Sequence, residues 1–186
     1  MRTTKLTAVQ VGDPLLRSTL KAVKLGELSS VEIQECIERM RQVNDAMQGV
    51  GISANQVGYG YRISLIHVKK TKNRPDSNES KELLLINPKI IATPPAHEYM
   101  WEGCLSVAEA GLFCMVKRYK RVKVEYYNLN GERVETMLDG LEAHIAQHEL
   151  GHLNGRIFLD EDIDTTTFMS AVEYRKMRKK EKSKKL

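Results

Sequence analysis

Two histidines bracket an acid in His148-Glu149-Leu150-Gly151-His152, and this quintet constrains the fold more than any other stretch. Side chains four positions apart share one face of an α-helix, so both imidazoles reach one metal ion if the segment is helical. Glu149, about 100° round the helix from His148, then projects beside that ion. An ion that acidifies water, with a carboxylate base next to it, is the arrangement of metal-assisted hydrolysis. A catalytic ion of this kind usually takes three protein ligands and keeps a position for water. The third ligand must come from outside the quintet. Candidates are Cys104, Cys36, Cys114, several acids, and His67, His97 and His144. Cys36 falls on or beside the apolar face of a predicted helix, and Cys114 lies between Phe113 and Met115; both positions suit packing. Cys104 differs, because Gly103 beside it lets backbone come close to a ligand. His144, one turn before His148, is expected behind the ligands or at the surface, and His67 and His97 have no motif around them.

The chain has 186 residues, enough for one substantial core. Its 41% hydrophobic and 28% charged residues suit a globular domain, and no apolar run approaches a membrane span. Met1 to Leu16 carries no basic-then-apolar leader pattern, and the three cysteines follow no disulfide spacing. Both features point to a cytoplasmic, reducing setting. Charge is unevenly placed. Residues 175–186 contain eight Lys or Arg and one Glu, a net of +7. The rest holds 21 of the 29 basic and 23 of the 24 acidic residues, a net of −2. The expected organisation is a single catalytic domain over 1–174 and a basic tail over 175–186. Such a tail can meet phosphate backbones without reading sequence, or simply keep the chain in solution.

Periodicity supplies the elements. Ser29 to Gln48 reads as an amphipathic helix, with Ile33, Ile37, Met40 and Met47 at helical spacing and Ser29 and Glu32 as a capping box. Gly49, Gly51, Gly58 and Gly60 punctuate the stretch after that helix. Tyr61 to Val68 and Leu83 to Ala92 read as strands, with a loop over Lys70 to Lys81. Arg121 to Leu129 and Arg133 to Leu138 form a hairpin about Asn130-Gly131. Asp139 caps a helix over Leu141 to Leu153 whose one face carries Leu141, Ile145, His148 and His152, and Gly155 ends it. A last helix is predicted to begin near Thr165 and run into the basic tail. This is an α+β fold: small antiparallel or mixed sheets around a central metal-binding helix, with a helix at the C-terminus.

Three segments, in order and at fitting distances, resemble the peptide deformylase family. Gly49-Val50-Gly51-Ile52-Ser53-Ala54-Asn55-Gln56 is similar to its G-x-G-x-A-A-x-Q, Glu102 to Ser106 matches its E-G-C-L-S, and Gln147 to His152 resembles its Q-H-E-x-D-H. The resemblance runs from about Val11 to the last helix. It implies a metal-dependent enzyme that removes the formyl group from the N-formylmethionine of newly made proteins. It places the metal on Cys104, His148 and His152. Fe²⁺ is the expected ion, with Zn²⁺, Ni²⁺ or Co²⁺ also able to occupy such a site. Glu149 is then the base, and the Gln56 amide and the Leu105 backbone N–H stabilise charge on the formyl oxygen. Backbone at Gly51 and Gly103 is expected to pair with the peptide. Val50, Leu141 and Ile145 are expected to line the methionine pocket, with His144 near its edge. A basic C-terminal helix implies contact with the ribosome.

The sequence also departs from the family pattern. Gly151 stands in place of an aspartate, Ser53 in place of an alanine, and Ala108 where proline is common in the family. The stretch from Cys104 to Arg118 is about two residues longer than usual, taking Val116 and Arg118 as the family's V-x-R, and an arginine often used there for substrate has no clear counterpart. An acid at 151 can orient a ligand or pair with an arginine such as Arg118, so aspartate there is expected to strengthen the site. Two other classes fit parts of the sequence: a general H-E-x-x-H metalloprotease with Glu173 as third ligand, and a deformylase-like protein that binds formylated ends with little turnover.

Overall fold

In the computed structural model, which describes residues 6–71 and 79–183, Ser30 rather than Ser29 opens the first helix. Its hydroxyl accepts from the Ile33 N–H, which satisfies a first-turn donor. Helix α1, Val31–Ala46, buries Ile33, Cys36, Ile37, Met40 and Val43. These positions recur every three or four residues and form one stripe.

Eight strands are present among the described residues, including four that periodicity does not mark: β1 Gly51–Ser53, β2 Ile63–Ile66, β3 Leu83–Ala92, β4 His97–Gly103, β5 Leu112–Tyr119, β6 Arg121–Tyr127, β7 Arg133–Asp139 and β8 Ile163–Ser170. They make two antiparallel sheets, one ordered β1-β2-β3-β6-β7 and one ordered β4-β5-β8. β3 carries an irregularity between Ile86 and Lys89, where Asn87 takes φ +51° ahead of Pro88. The Asn87 side chain compensates by bonding both the N–H and the carbonyl of Val23. Part of the predicted loop over Lys70 to Lys81, residues 72–78, lies outside the described residues.

The second helix, α2 Gly140–Leu153, is buried on nearly every side. Alternation in the larger sheet explains one side of this. Ile63, Leu65, Leu84 and Ile86 face α1, whereas Ile66, Leu85, Val122, Val124 and Leu138 pack with Ala143, Ile145, Ala146 and Leu150 of α2. The smaller sheet contributes Cys114 and Val116 to a third cluster with Cys104, Val107 and Phe158. Gln147 ties α2 to β5: its amide donates to the carbonyl of Tyr119 and accepts the Tyr119 N–H. Asp139 is the N-cap residue, as expected, but its side chain makes no capping bond. Asn154 ends the helix and Gly155, at φ +73°, turns the chain. An added Cβ at Gly155 would lie 2.5 Å from the Arg17 carbonyl oxygen, so the turn also requires glycine on steric grounds.

The predicted helix from Thr165 is corrected. Residues Ile163–Ser170 form β8, and α3 begins only at Ala171 and runs to Ser183. Three consecutive β-branched residues, Thr165 to Thr167, favour an extended backbone beside β5. Ser170 then accepts from the Glu173 N–H and starts the helix. On α3, Ala171, Tyr174 and Met177 are partly buried on one face, and the Tyr174 ring stacks on Phe113 at 4.2 Å. No helix among the described residues is long and apolar enough to cross a membrane.

Candidate metal centre

One turn of α2 places His148 and His152 together, their ring centroids 5.0 Å apart. The turn after β4 brings Cys104 against them. Cys104 Sγ lies 3.2 Å from His152 Nε2, and one ligand atom from each of the three residues lies within 4.8 Å of the others. An ion with bonds of about 2.3 Å to sulfur and 2.0–2.1 Å to nitrogen separates those atoms by about 3.5 Å in tetrahedral geometry. The donor set therefore fits one divalent transition-metal ion. Among the described residues this trio is the group with metal-binding geometry. Glu173, the alternative third ligand, is an exposed residue of α3 paired with Lys176. Cys36 and Cys114 are fully buried in cores, and His97 stacks on Tyr119.

Glu102, the first residue of its motif, has no role assigned from sequence and is the hub of the site. Its Oε2 accepts from His148 Nδ1 at 2.7 Å, which leaves Nε2 of that ring for a metal. Its Oε1 lies 2.6 Å from His144 Nε2, and Arg118 grips both oxygens at 2.8 and 3.1 Å. Burial alone would push the Glu102 carboxyl up; His148, His144 and Arg118 more than reverse this and hold it well below the usual carboxylate range. His144 is thus buried against Glu102, which settles for the interior a residue that the sequence left either behind the ligands or at the surface. His152 is the opposite case: burial and the neighbouring His148 keep its ring well below the ordinary range and hence neutral, as a ligand must be.

Glu149 is 3% exposed and faces β1. Burial pushes its carboxyl up to about 7, against the pull of His148 and of a hydrogen bond from Ser53. Glycine at 51 makes this approach possible, since an added Cβ would meet Ile145 Cγ2 at 2.6 Å and Glu149 Oε1 at 2.7 Å. Gln56 is oriented by its other end. Its Oε1 accepts the Ser53 N–H at 2.8 Å, so its amide nitrogen points to Cys104 Sγ at 3.5 Å and Ser106 Oγ at 3.1 Å. Leu105 begins a short turn at 105–107, where first-turn N–H groups lack partners within the turn.

The apolar candidates divide. Val50 packs against the cluster containing Ile145, whereas Leu141 is 40% exposed on the same helix. Gly51 lies on β1 and Gly103 on β4, both edge strands of their sheets. The ring of Phe113, the cross-strand partner of Gly103, fills the space of the missing side chain, 2.4 Å from an ideal Cβ. The aspartate expected from sequence to strengthen the site at position 151 would meet an acid already beside it. The nearest atom to an added Cβ there is Glu161 Oε1 at 3.6 Å, so a carboxylate from the loop after α2 already lies against it. Sequence reasoning misses Glu161 because its place is set by a loop ten residues on, not by helical spacing.

A cysteine from the turn after β4 and two histidines of α2, beside a buried carboxylate and enclosed between two antiparallel sheets, form the kind of donor set that metal-dependent hydrolases use. Comparison with known proteins gives the family. The polypeptide deformylase family model matches residues 5–167. The chain is 40% identical to a peptide deformylase of Thermotoga neapolitana over 150 residues, 80% of this chain and 82% of the relative. It is 31% identical to peptide deformylase 2 of a Nostoc species over 172 residues, 92% and 94% of the two chains. Among solved structures, the Met-Ala-Ser-bound class I type b peptide deformylase of Acinetobacter baumannii is similar at a TM-score of 0.78 and 32% identity, covering 87% of this chain and 99% of that one. A peptide deformylase from Plasmodium falciparum gives a TM-score of 0.73 at 27% identity, covering 88% of each chain. The chain belongs to the polypeptide deformylase family.

Proposed function

We propose that Cys104, His148 and His152 hold one divalent ion, Fe²⁺ in the native protein, in an enzyme that hydrolyses the formyl group of N-formylmethionine at the start of newly made proteins. The observation that carries this reading is the approach of Cys104 Sγ to His152 Nε2 at 3.2 Å, with Glu149 buried on the same helix. The choice of iron rests on the family resemblance, because a thiolate with two imidazoles also suits Zn²⁺, Ni²⁺ or Co²⁺.

Held by Cys104, His148 and His152, such an ion would supply Lewis acidity, acidifying the attacking water and polarising the formyl oxygen. Glu149 takes the proton from that water; a carboxyl near 7 is matched to proton transfer at neutral pH. Water oxygen adds to the formyl carbon; the C–N bond then breaks as Glu149 returns the proton to the departing amine, and the formyl group leaves as formate. Gln56 Nε2 and the Leu105 N–H donate to the formyl oxygen as charge grows there; one such donor is typically worth about 3–4 kcal/mol. Backbone at Gly51 and Gly103 receives the peptide as an added strand, which suits their places on open sheet edges. Val50 and Ile145, with Leu141 at the rim, receive the methionine side chain. Glu102 and Arg118 fix the His148 ring.

Residues 1–174 act as one catalytic unit in the cytoplasm, and 175–186 form a basic extension for docking on the ribosome. The exposed Arg175, Lys176, Arg178, Lys179 and Lys180 on α3 support this; residues 184–186 lie outside the described residues. Anaerobically purified protein assayed on a short formyl-Met peptide tests the main reading. Formate release from that peptide, with no cleavage of its unformylated counterpart, is expected. Peptide-bond cleavage would indicate a general protease, and binding without formate release a non-catalytic recognition protein.

A further inference from the structure

We propose that Glu161 is a positioning residue for the metal centre: it holds Arg118 from the side opposite Glu102, in the place of the acid that position 151 lacks. This rests on the metal site assigned above. Arg118 is only 6% exposed and sits between two acids. Its Nε and Nη2 grip Glu102, and its Nη1 lies 3.7 Å from Glu161 Oε2. Glu102 cannot serve Arg118 alone, since the same two oxygens also face His148 and His144. A second carboxylate completes the charge balance of a buried guanidinium, which is costly to leave partly paired.

The chain fixes Glu161 firmly. Its N–H donates to the carbonyl of Phe158, whose side chain is buried with its ring centroid 6.0 Å from that of His148. The next residue bonds β5, where the Lys117 N–H donates to the Asp162 carbonyl at 2.9 Å. The loop returns to α2 through the Arg156 N–H on the Gly151 carbonyl. Glu161 Oε2 also lies 3.3 Å from Arg156 Nη2, an exposed guanidinium. The missing side chain at 151 belongs to the same arrangement. With Glu161 Oε1 3.6 Å from its ideal Cβ, an aspartate at 151 would push one carboxylate against another. Position 151 and Glu161 are therefore alternative sources of one negative charge beside Arg118. The chain of contacts runs Glu161–Arg118–Glu102–His148, so its end point is the orientation of a ligand ring.

The test moves the charge from one position to the other. Cobalt-loaded protein is mixed with excess chelator, Co²⁺ release is followed by absorbance, and kcat and KM are measured alongside. Glu161→Gln should release Co²⁺ about tenfold faster and lower kcat with little change in KM. Gly151→Asp alone should bring no gain and should also speed release. The double variant Gly151→Asp with Glu161→Gln should return to within about threefold of the wild type, because one carboxylate again faces Arg118. Arg156→Met should release at the wild-type rate. Wild-type release from Glu161→Gln would overturn the proposal. So would a double variant at the product of the two single effects, or Arg156→Met matching Glu161→Gln. Should Glu161→Gln fail to fold, a folded double variant with near wild-type release supports the assignment, and an unfolded one overturns it. Release rates are read without turnover, so a wild type inert on formyl-Met peptide would undo the enzymatic reading and leave this test standing.

Discussion

Ser53 Oγ lies 2.7 Å from Glu149 Oε2 and 3.0 Å from the Glu149 carbonyl oxygen. A residue that departs from the family's alanine is thus a direct partner of the carboxylate read as the catalytic base. Its hydroxyl favours the charged carboxylate, while burial favours the neutral one and pushes the group up to about 7.

This balance sets the sign of the pH dependence. The folded value exceeds the ordinary carboxyl value of 4.5. The stability contributed by protonated Glu149 is complete below pH 4.5 and is lost as pH rises through about 7, amounting to about 3 kcal/mol at most. Metal-free wild type should therefore lose stability relative to Glu149→Gln across this window. In Ser53→Ala the loss should extend to higher pH, because the bond favouring the charged form is gone. Thermal unfolding of the three metal-free proteins at half-unit steps checks this. Parallel curves for wild type and Glu149→Gln would show that Glu149 takes up no proton on folding.

Ligand and base should separate cleanly. Cys104→Ala, His148→Ala and His152→Ala should each lose most bound metal, since three protein ligands leave none to spare. Glu149→Ala should keep its metal and lose nearly all turnover. Gln56→Ala should lower kcat more than it raises KM, because its amide acts on charge that develops in the transition state. Elemental analysis beside steady-state kinetics decides each case. Metal lost from Glu149→Ala would make Glu149 a ligand or a structural residue.

Gly51→Ala tests how closely β1 must approach α2. Its Cβ would fall 2.6 Å from Ile145 Cγ2 and 2.7 Å from Glu149 Oε1, and both neighbours are buried. Relief requires moving either the strand or the carboxylate. A displacement near 1 Å at a catalytic group costs about 100-fold, and overpacking costs about 1–3 kcal/mol. Turnover should fall by one to two orders of magnitude, with metal content unchanged. Unaltered kcat in a folded Gly51→Ala protein would show that Glu149 tolerates the shift.

A residue is legible in the sequence when its role is local. α1 and α2 emerge from apolar spacing that their own turns impose, and the two histidines share a face for the same reason. β4 does not stand out because its inward residue next to the ligand is Glu102, a charged side chain that becomes a core residue only once Arg118, His144 and His148 surround it. β8 reads as helix because the basic helical pattern after it extends backward over three threonines that are better suited to a strand. In the site, motif residues are found by their order along the chain. Ser106 beside Gln56, Ser53 beside Glu149 and Glu161 beside Gly151 are neighbours only through the packing of separate elements.

The basic end of α3 gives the last prediction. Tyr174 stacks on Phe113 at 4.2 Å and approaches Trp101 at 5.6 Å, so it anchors the first turn of the helix to the outer face of the β4-β5-β8 sheet. The cationic positions begin immediately after it, where Arg175, Lys176, Arg178, Lys179 and Lys180 are exposed, while Met177 is partly buried. Deleting residues 175–186 therefore removes a net charge of +7 and spares the aromatic anchor. Truncated protein should keep its metal and its activity on short formyl-Met peptides. Full-length protein should co-sediment with ribosomes at low salt and lose that association steeply as salt rises, since each neutralised phosphate adds about 0.7–0.9 to the log–log slope. The truncated chain should show neither the association nor the slope. Equal co-sedimentation of both chains at low salt would place ribosome contact elsewhere on the surface.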